Sequence, residues 1–100
     1  MSLAVEFLSG ADADLQEIFN RFEDYRDGFG TEFITAVDAY LARIAVFPDL
    51  APCYFEKVRR QVMHGFPYGI FYDPHPTRIL VTAILDLRQD PRKINRRLRN

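Results

Sequence analysis

Arg78-Ile79-Leu80-Val81-Thr82-Ala83-Ile84-Leu85-Asp86-Leu87 is the most apolar stretch of the chain, and its reading decides the fold. A near-continuous run of β-branched and aliphatic residues, too short for a long helix, predicts a central strand covered on both faces. Immediately before it, Asp73-Pro74-His75-Pro76-Thr77 predicts a turn, because two prolines cannot continue a ladder. Tyr68-Gly69-Ile70-Phe71-Tyr72 then reads as the strand entering that turn. Pro67 separates it from a third strand, Tyr54 to Met63. There Val58, Arg60 and Val62 alternate with Lys57, Arg59 and Gln61 on opposite faces. Downstream, Pro91 suits the first turn of a short basic helix whose apolar residues are Ile94 and Leu98.

The N-terminal half has a different period. Leu3, Val5 and Phe7 fall on one side of a strand, and Ser9 with Asp12 three residues on predicts a helix start with a weak capping box. Leu15, Ile18, Phe19 and Phe22 form one helical stripe. Gly28 and Gly30 interrupt the pattern. A second stripe of Phe33, Val37, Tyr40, Ile44 and Phe47, flanked by Ile34 and Leu41, runs until Pro48 and Pro52 stop it. A short glycine-containing connection between helices of similar length predicts an antiparallel hairpin. Strand, two helices, three strands and a final helix make an α+β chain with the hairpin on one face of the sheet.

One hundred residues, 48% hydrophobic and 14% aromatic, predict a single domain over residues 1–100. A formal net charge of −1 with this apolar content excludes a disordered chain. No apolar run approaches the roughly 18–20 residues of a bilayer-spanning helix, and no basic segment followed by an apolar stretch opens the sequence. The one cysteine, Cys53, excludes an internal disulfide framework and a cysteine zinc cluster. A cytoplasmic location is the expectation. Residues 1–55 carry Arg21, Arg26 and Arg43 against ten acidic residues, a balance of −7. Residues 56–100 carry ten basic residues against four acidic ones, a balance of +6. Such asymmetry fits either a face for nucleic acid or an acidic protein, or a basic surface helix balanced by acidic helices elsewhere.

Four stretches resemble the RelE/ParE superfamily of toxins from bacterial type II toxin–antitoxin pairs, some of them described as plasmid stabilisation proteins. They are Ala13-Asp14-Leu15-Gln16-Glu17-Ile18, Ala45-Val46-Phe47-Pro48-Asp49, Val58-Arg59-Arg60 with Phe66-Pro67-Tyr68-Gly69-Ile70-Phe71-Tyr72, and Leu85-Asp86-Leu87-Arg88-Gln89-Asp90-Pro91. Together they span nearly the whole chain in order. The resemblance implies a βααβββ core with a mainly antiparallel sheet and a C-terminal helix. It also implies a cognate antitoxin as partner, in a hetero-oligomer or beside a homodimer, and no cofactor or metal. RelE-like chains are implied to cut mRNA on the ribosome. ParE-like chains are implied to inhibit DNA gyrase without catalytic residues of their own. A member retaining antitoxin binding without toxicity is the third reading.

Metal-free RNA cleavage needs a proton acceptor, an acid for the leaving oxygen and cations around the phosphate. Arg59 and Arg88 suit the cationic role and His64 the proton transfer, if the chain cuts RNA. Arg60, Tyr68, Arg92, Lys93, Arg96 and Arg97 are the candidate target-binding residues. Against each stands the ordinary alternative of a packed tyrosine or a solvated, ion-paired arginine. Asp86 stands where many relatives have histidine, and Gln89 replaces a frequent arginine. A carboxylate repels a phosphate unless it is paired. The sequence therefore leans towards the ParE-like reading.

Overall fold

The computed structural model describes residues Ser2–Arg99. Its elements are β1 (Ala4–Phe7), α1 (Ser9–Tyr25), α2 (Phe29–Val46), β2 (Cys53–Phe55), β3 (Val58–Val62), β4 (Tyr68–Pro74), β5 (Arg78–Asp86) and α3 (Pro91–Arg99). The strands form one sheet in the order β1-β5-β4-β3-β2. β1 runs parallel to β5, with Ala4 opposite Arg78 and Phe7 opposite Val81. All other pairings are antiparallel. The apolar run is accordingly an interior strand, as are β4 and β3. β4 continues through Asp73 and Pro74, opposite Leu80 and Ile79, so that Pro76 is the one proline left in the turn.

Both faces of the sheet are covered, but unequally. Ile70, Tyr72, Ile79, Val81 and Ile84 pack against Ile18, Phe33, Val37, Leu41 and Ile44 of the hairpin to form the main core. On the opposite face Val58, Phe71, Ala83 and Leu85 form a smaller core closed by Ile94, with Leu98 packed against it. The α+β architecture expected from the sequence is the one observed.

Three further local expectations are corrected. Tyr54 to Met63 is not one strand. The chain turns at Glu56, whose φ of 50° is left-handed, and β2 folds back on β3 with Phe55 opposite Val58. A non-glycine residue there costs roughly 1–2 kcal/mol, and no Gly, Asn or Pro marks the site. The sheet therefore has five strands, and the core reads βααββββ.

Ser9 does not cap α1 either. The chain passes straight from the β1 edge into the helix: the Leu8 N–H donates to the Val81 carbonyl and the Asp12 N–H donates to the Leu8 carbonyl. No side-chain cap forms, because Leu8 already occupies the cap position. Lastly, Phe47 lies beyond α2 and is 56% exposed instead of completing the buried stripe.

The α1–α2 connection is tight because side chains complete it. Gly28 has φ +85° and opens α2. The Glu23 carboxylate accepts the backbone N–H groups of Gly28, Gly30 and Thr31 at 3.2, 2.9 and 3.3 Å. These are donors that the first turn of a helix leaves unpaired.

Candidate functional site

The two arginines with candidate catalytic roles lie far apart. Arg59 sits opposite Tyr72 on β4, and Asp86, two residues before Arg88, sits opposite Tyr68. Four residues of strand separate these positions, about 13 Å. Their guanidiniums are engaged by different partners, Arg59 by the carbonyls of Asp49 and Ala51 and Arg88 by Asp86.

Arg59 faces the α2–β2 connection. Its Nη1 donates to the carbonyls of Asp49 and Ala51 at 3.1 and 2.6 Å, and Nη2 lies 3.5 Å from the Asp49 carboxylate. The side chain is 22% exposed. Arg60 points to the other face, its guanidinium 4.7 Å above the Tyr54 ring. Its Nε is buried without a hydrogen-bond partner. His64 is exposed in the β3–β4 connection, which is tied down by its backbone N–H donating to the Tyr40 hydroxyl at 2.8 Å.

Arg88 is held by the residue that departs from the resemblance. Its Nε and Nη2 donate to the two Asp86 carboxylate oxygens at 3.0 and 2.7 Å, and its backbone N–H donates to the same group at 2.8 Å. The Arg88 hydrogen bond holds the Asp86 carboxyl below its ordinary value, against a smaller opposing effect of burial. Arg88 is itself raised by the same pair. It remains 72% exposed.

The residues that the fold does bring together surround an open polar cleft of about 250 Å3 between α1 and the C-terminal end of β5. Tyr68 is buried, and its hydroxyl accepts from Arg21 Nη1 at 3.0 Å. Arg21 Nη2 is paired with Glu17 at 2.9 Å. Asp86 and Gln89 form the far rim, Gln89 donating to the Asp86 carbonyl at 3.0 Å.

At the α3 side of the cleft, Asp14 accepts from Arg97 through both oxygens, at 2.9 and 2.7 Å, and from the Ile84 N–H at 3.0 Å. β1 pairs only with Arg78 to Val81, so Asp14 satisfies a backbone donor that the short edge strand leaves uncovered. Each cation here meets a carboxylate. The cleft can bind a polar group, and its three carboxylates, Asp14, Glu17 and Asp86, are each already paired with an arginine. Arg21 and Asp14 escaped sequence reasoning as site residues, and Gln89 entered it only as the replacement of a frequent arginine. Arg21 lies four residues after Glu17, which signals only a surface ion pair.

The candidate target-binding residues divide. Arg97 is an internal tie between α3 and α1. Arg92 is forked onto Asp90 at 2.8 and 3.2 Å. Lys93 and Arg96 are exposed and make no ion pair among the described residues. Among the described residues no group of three or more His, Cys, Asp or Glu could hold a metal ion, and no helix is long and apolar enough to cross a membrane.

Leu8, Tyr25 and Val62 are exposed singly, and further exposed apolar surface gathers in grooves. Val46, Phe47 and Leu50 line a groove at the end of α2. A wider, mainly apolar groove of about 450 Å3 runs along α2, between Thr31, Thr35, Ala36, Ala39 and Phe66.

No protein-family model matches the chain, and no curated protein matches it. Among solved structures, a chain described as part of the "Chromosomal ParDE TA system from P. aeruginosa" shares its fold with a TM-score of 0.75. The identity is 13%, and the match covers 87% of this chain and 98% of that one. The α+β fold implied by the sequence resemblance is thus the fold that this protein shares with that chain.

Proposed function

We propose that this chain is the toxin of a type II toxin–antitoxin pair, cytoplasmic, acting on a protein target in the ParE-like manner and restrained by a cognate antitoxin. The likeness to a chain of the ParDE system supports the toxin reading. The observation that carries the choice of branch is the Asp86–Arg88 fork. It neutralises the cation best placed for a phosphate, while Arg59 is spent on loop carbonyls. An RNA-cleaving site needs free cations about the scissile phosphate, and the two arginines with candidate catalytic roles are both already engaged. The two apolar grooves give an antitoxin segment area to bury. DNA gyrase is the target that the ParE-like reading implies.

The ribosome-dependent endonuclease reading keeps one supporting observation. Arg88 is exposed, so an incoming phosphate can compete with Asp86 for it.

The test is to induce the chain alone in a bacterium and map mRNA 5′ ends beside growth, with purified gyrase assayed for supercoiling. Growth arrest and loss of supercoiling without new ends supports the proposal, and Arg88→Ala should then reduce toxicity by less than about tenfold. New ends phased to codons, abolished by Arg88→Ala, would replace it with the nuclease reading. Absence of both arrest and new ends would leave the non-toxic reading.

A further inference from the structure

The α3 helix has more cations than its packing uses. Ile94 and Leu98 turn inward onto the smaller core, and Arg97 is committed to Asp14. Those three contacts fix which way the helix faces. At 100° per residue, Lys93, Arg96 and Arg99 then fall within an arc of about 120° on the side away from Ile94 and Leu98, spread over about 9 Å of helix axis. All three are exposed, and none makes an ion pair among the described residues. Arg92 stands beside them, already forked onto Asp90.

We infer that this ridge of Lys93, Arg96 and Arg99 is a docking surface for the phosphodiester backbone of a nucleic acid, gripped without reading its sequence. The chemistry of the ridge favours that occupant over an acidic protein. A protein interface is anchored by aromatic or aliphatic side chains in a desolvated centre, and α3 turns its only two apolar side chains inward. Two of the three cations are arginines, whose planar forks match phosphate oxygens. α3 carries no aromatic residue for a base to stack on, so contacts stop at the backbone and carry no sequence information. The helix lies across the sheet from the hairpin, and so the inference is independent of the toxin reading. It concerns a surface separate from the grooves assigned to an antitoxin.

The experiment is fluorescence anisotropy of labelled 30-nucleotide RNA and DNA, in two unrelated sequences each, titrated with the full chain at 50–200 mM salt. The two sequences should bind within a few-fold of each other. Three phosphate contacts give a slope of log K on log salt of about −2 for single strands and about −2.7 for a duplex. Arg96→Glu with Arg99→Glu, both exposed and remote from the core, should weaken binding at least tenfold at 50 mM salt while leaving the circular dichroism unchanged. Arg96→Lys with Arg99→Lys should stay within a few-fold of the parent. No binding at 50 mM salt, or binding indifferent to the glutamates, would overturn the inference. So would equal or tighter binding to labelled polyglutamate, which would assign the ridge to an acidic protein instead. Growth arrest is a separate readout, so failure here leaves the toxin proposal standing.

Discussion

Arg59 looks catalytic in a sequence and acts as a brace in the fold. The α2–β2 connection contains two prolines and forms no ladder, so its carbonyls need donors from elsewhere. The sheet provides them: Arg59 donates to Asp49 and Ala51, and the Tyr72 hydroxyl donates to the Pro48 carbonyl at 2.8 Å. Removing the Arg59 donor leaves the part-buried Ala51 carbonyl unpaired, which costs about 1–3 kcal/mol. Arg59→Ala should therefore lower the unfolding free energy, read from a urea titration, by an amount in that range. Arg59→Lys should recover less than half of it, because an ammonium cannot reach two carbonyls and a carboxylate with one planar fork. A catalytic Arg59 with no bracing role would show the opposite: lost activity at full stability. This placement was not legible beforehand. Alternation correctly put Arg59 and Arg60 on opposite faces, but nothing in Asp49-Leu50-Ala51 announces carbonyls short of donors.

At the scale of elements, what the sequence announced were periods, and what it hid were joins. The stripes of α1 and α2 and the apolar run of β5 needed only counting. The β2–β3 turn lacks the glycine or asparagine that usually marks a left-handed residue, and Glu56 adopts that conformation because the hairpin bonds hold it there. The α1–α2 join was half legible, since Gly28 and Gly30 marked it but the Glu23 cap did not stand out. A Cβ on Gly30 would lie 2.7 Å from both the Phe19 carbonyl oxygen and Glu23 Cγ. The first of these is backbone and cannot swing aside, so Gly30→Ala should destabilise by about 1–3 kcal/mol. Glu23→Gln keeps the shape but loses the charge that faces the helix N-terminus, and should cost about 1 kcal/mol. The same urea titration checks both, and a Gly30→Ala chain of parental stability would show that the two helices can part without loss.

The attachment of α3 is a second join that depends on one pair of side chains. Asp14 is 14% exposed and Arg97 36%, so the ion pair is shielded from water more than the others in the chain. With Ile94 as its only fully buried residue, the helix has little apolar area to hold it. Arg97→Ala should raise amide hydrogen exchange in Ile94 to Leu98 at least tenfold and leave Ile70 and Phe71 in the central strand β4 unchanged. Unchanged exchange in α3 would mean that Ile94 and Leu98 suffice to dock it. The sequence marked Arg97 as one cation among many. Only the fold, by bringing residue 14 beside residue 97, separates it from Lys93, Arg96 and Arg99.

For the molecule as a whole, the charge split between the halves becomes a split between layers. The sheet stands between an acidic helical hairpin and a basic α3, and most of the local ion pairs are surface pairs worth little individually. Asp86, Asp90 and Tyr72 are groups whose titration the fold shifts, and they contribute to the pH dependence of stability. Asp86 and Asp90 are held below the ordinary value of 3.8, chiefly by their hydrogen bonds to Arg88 and Arg92. A depressed carboxyl favours the folded state above its unfolded value, and that stability is lost as pH falls through the folded value. Tyr72 is raised above 10.0, mainly by burial, and Arg59 opposes the shift. A raised group behaves in the reverse sense: its contribution is complete below pH 10.0 and is lost as pH rises through the folded value. The urea midpoint should accordingly fall at both ends, below about pH 4 and above about pH 10. Asp86→Asn should make the acid limb shallower, and Tyr72→Phe should flatten the alkaline limb while lowering the midpoint at neutral pH through the lost bond to Pro48. An alkaline limb that persisted unchanged in Tyr72→Phe would remove burial of this hydroxyl as its cause.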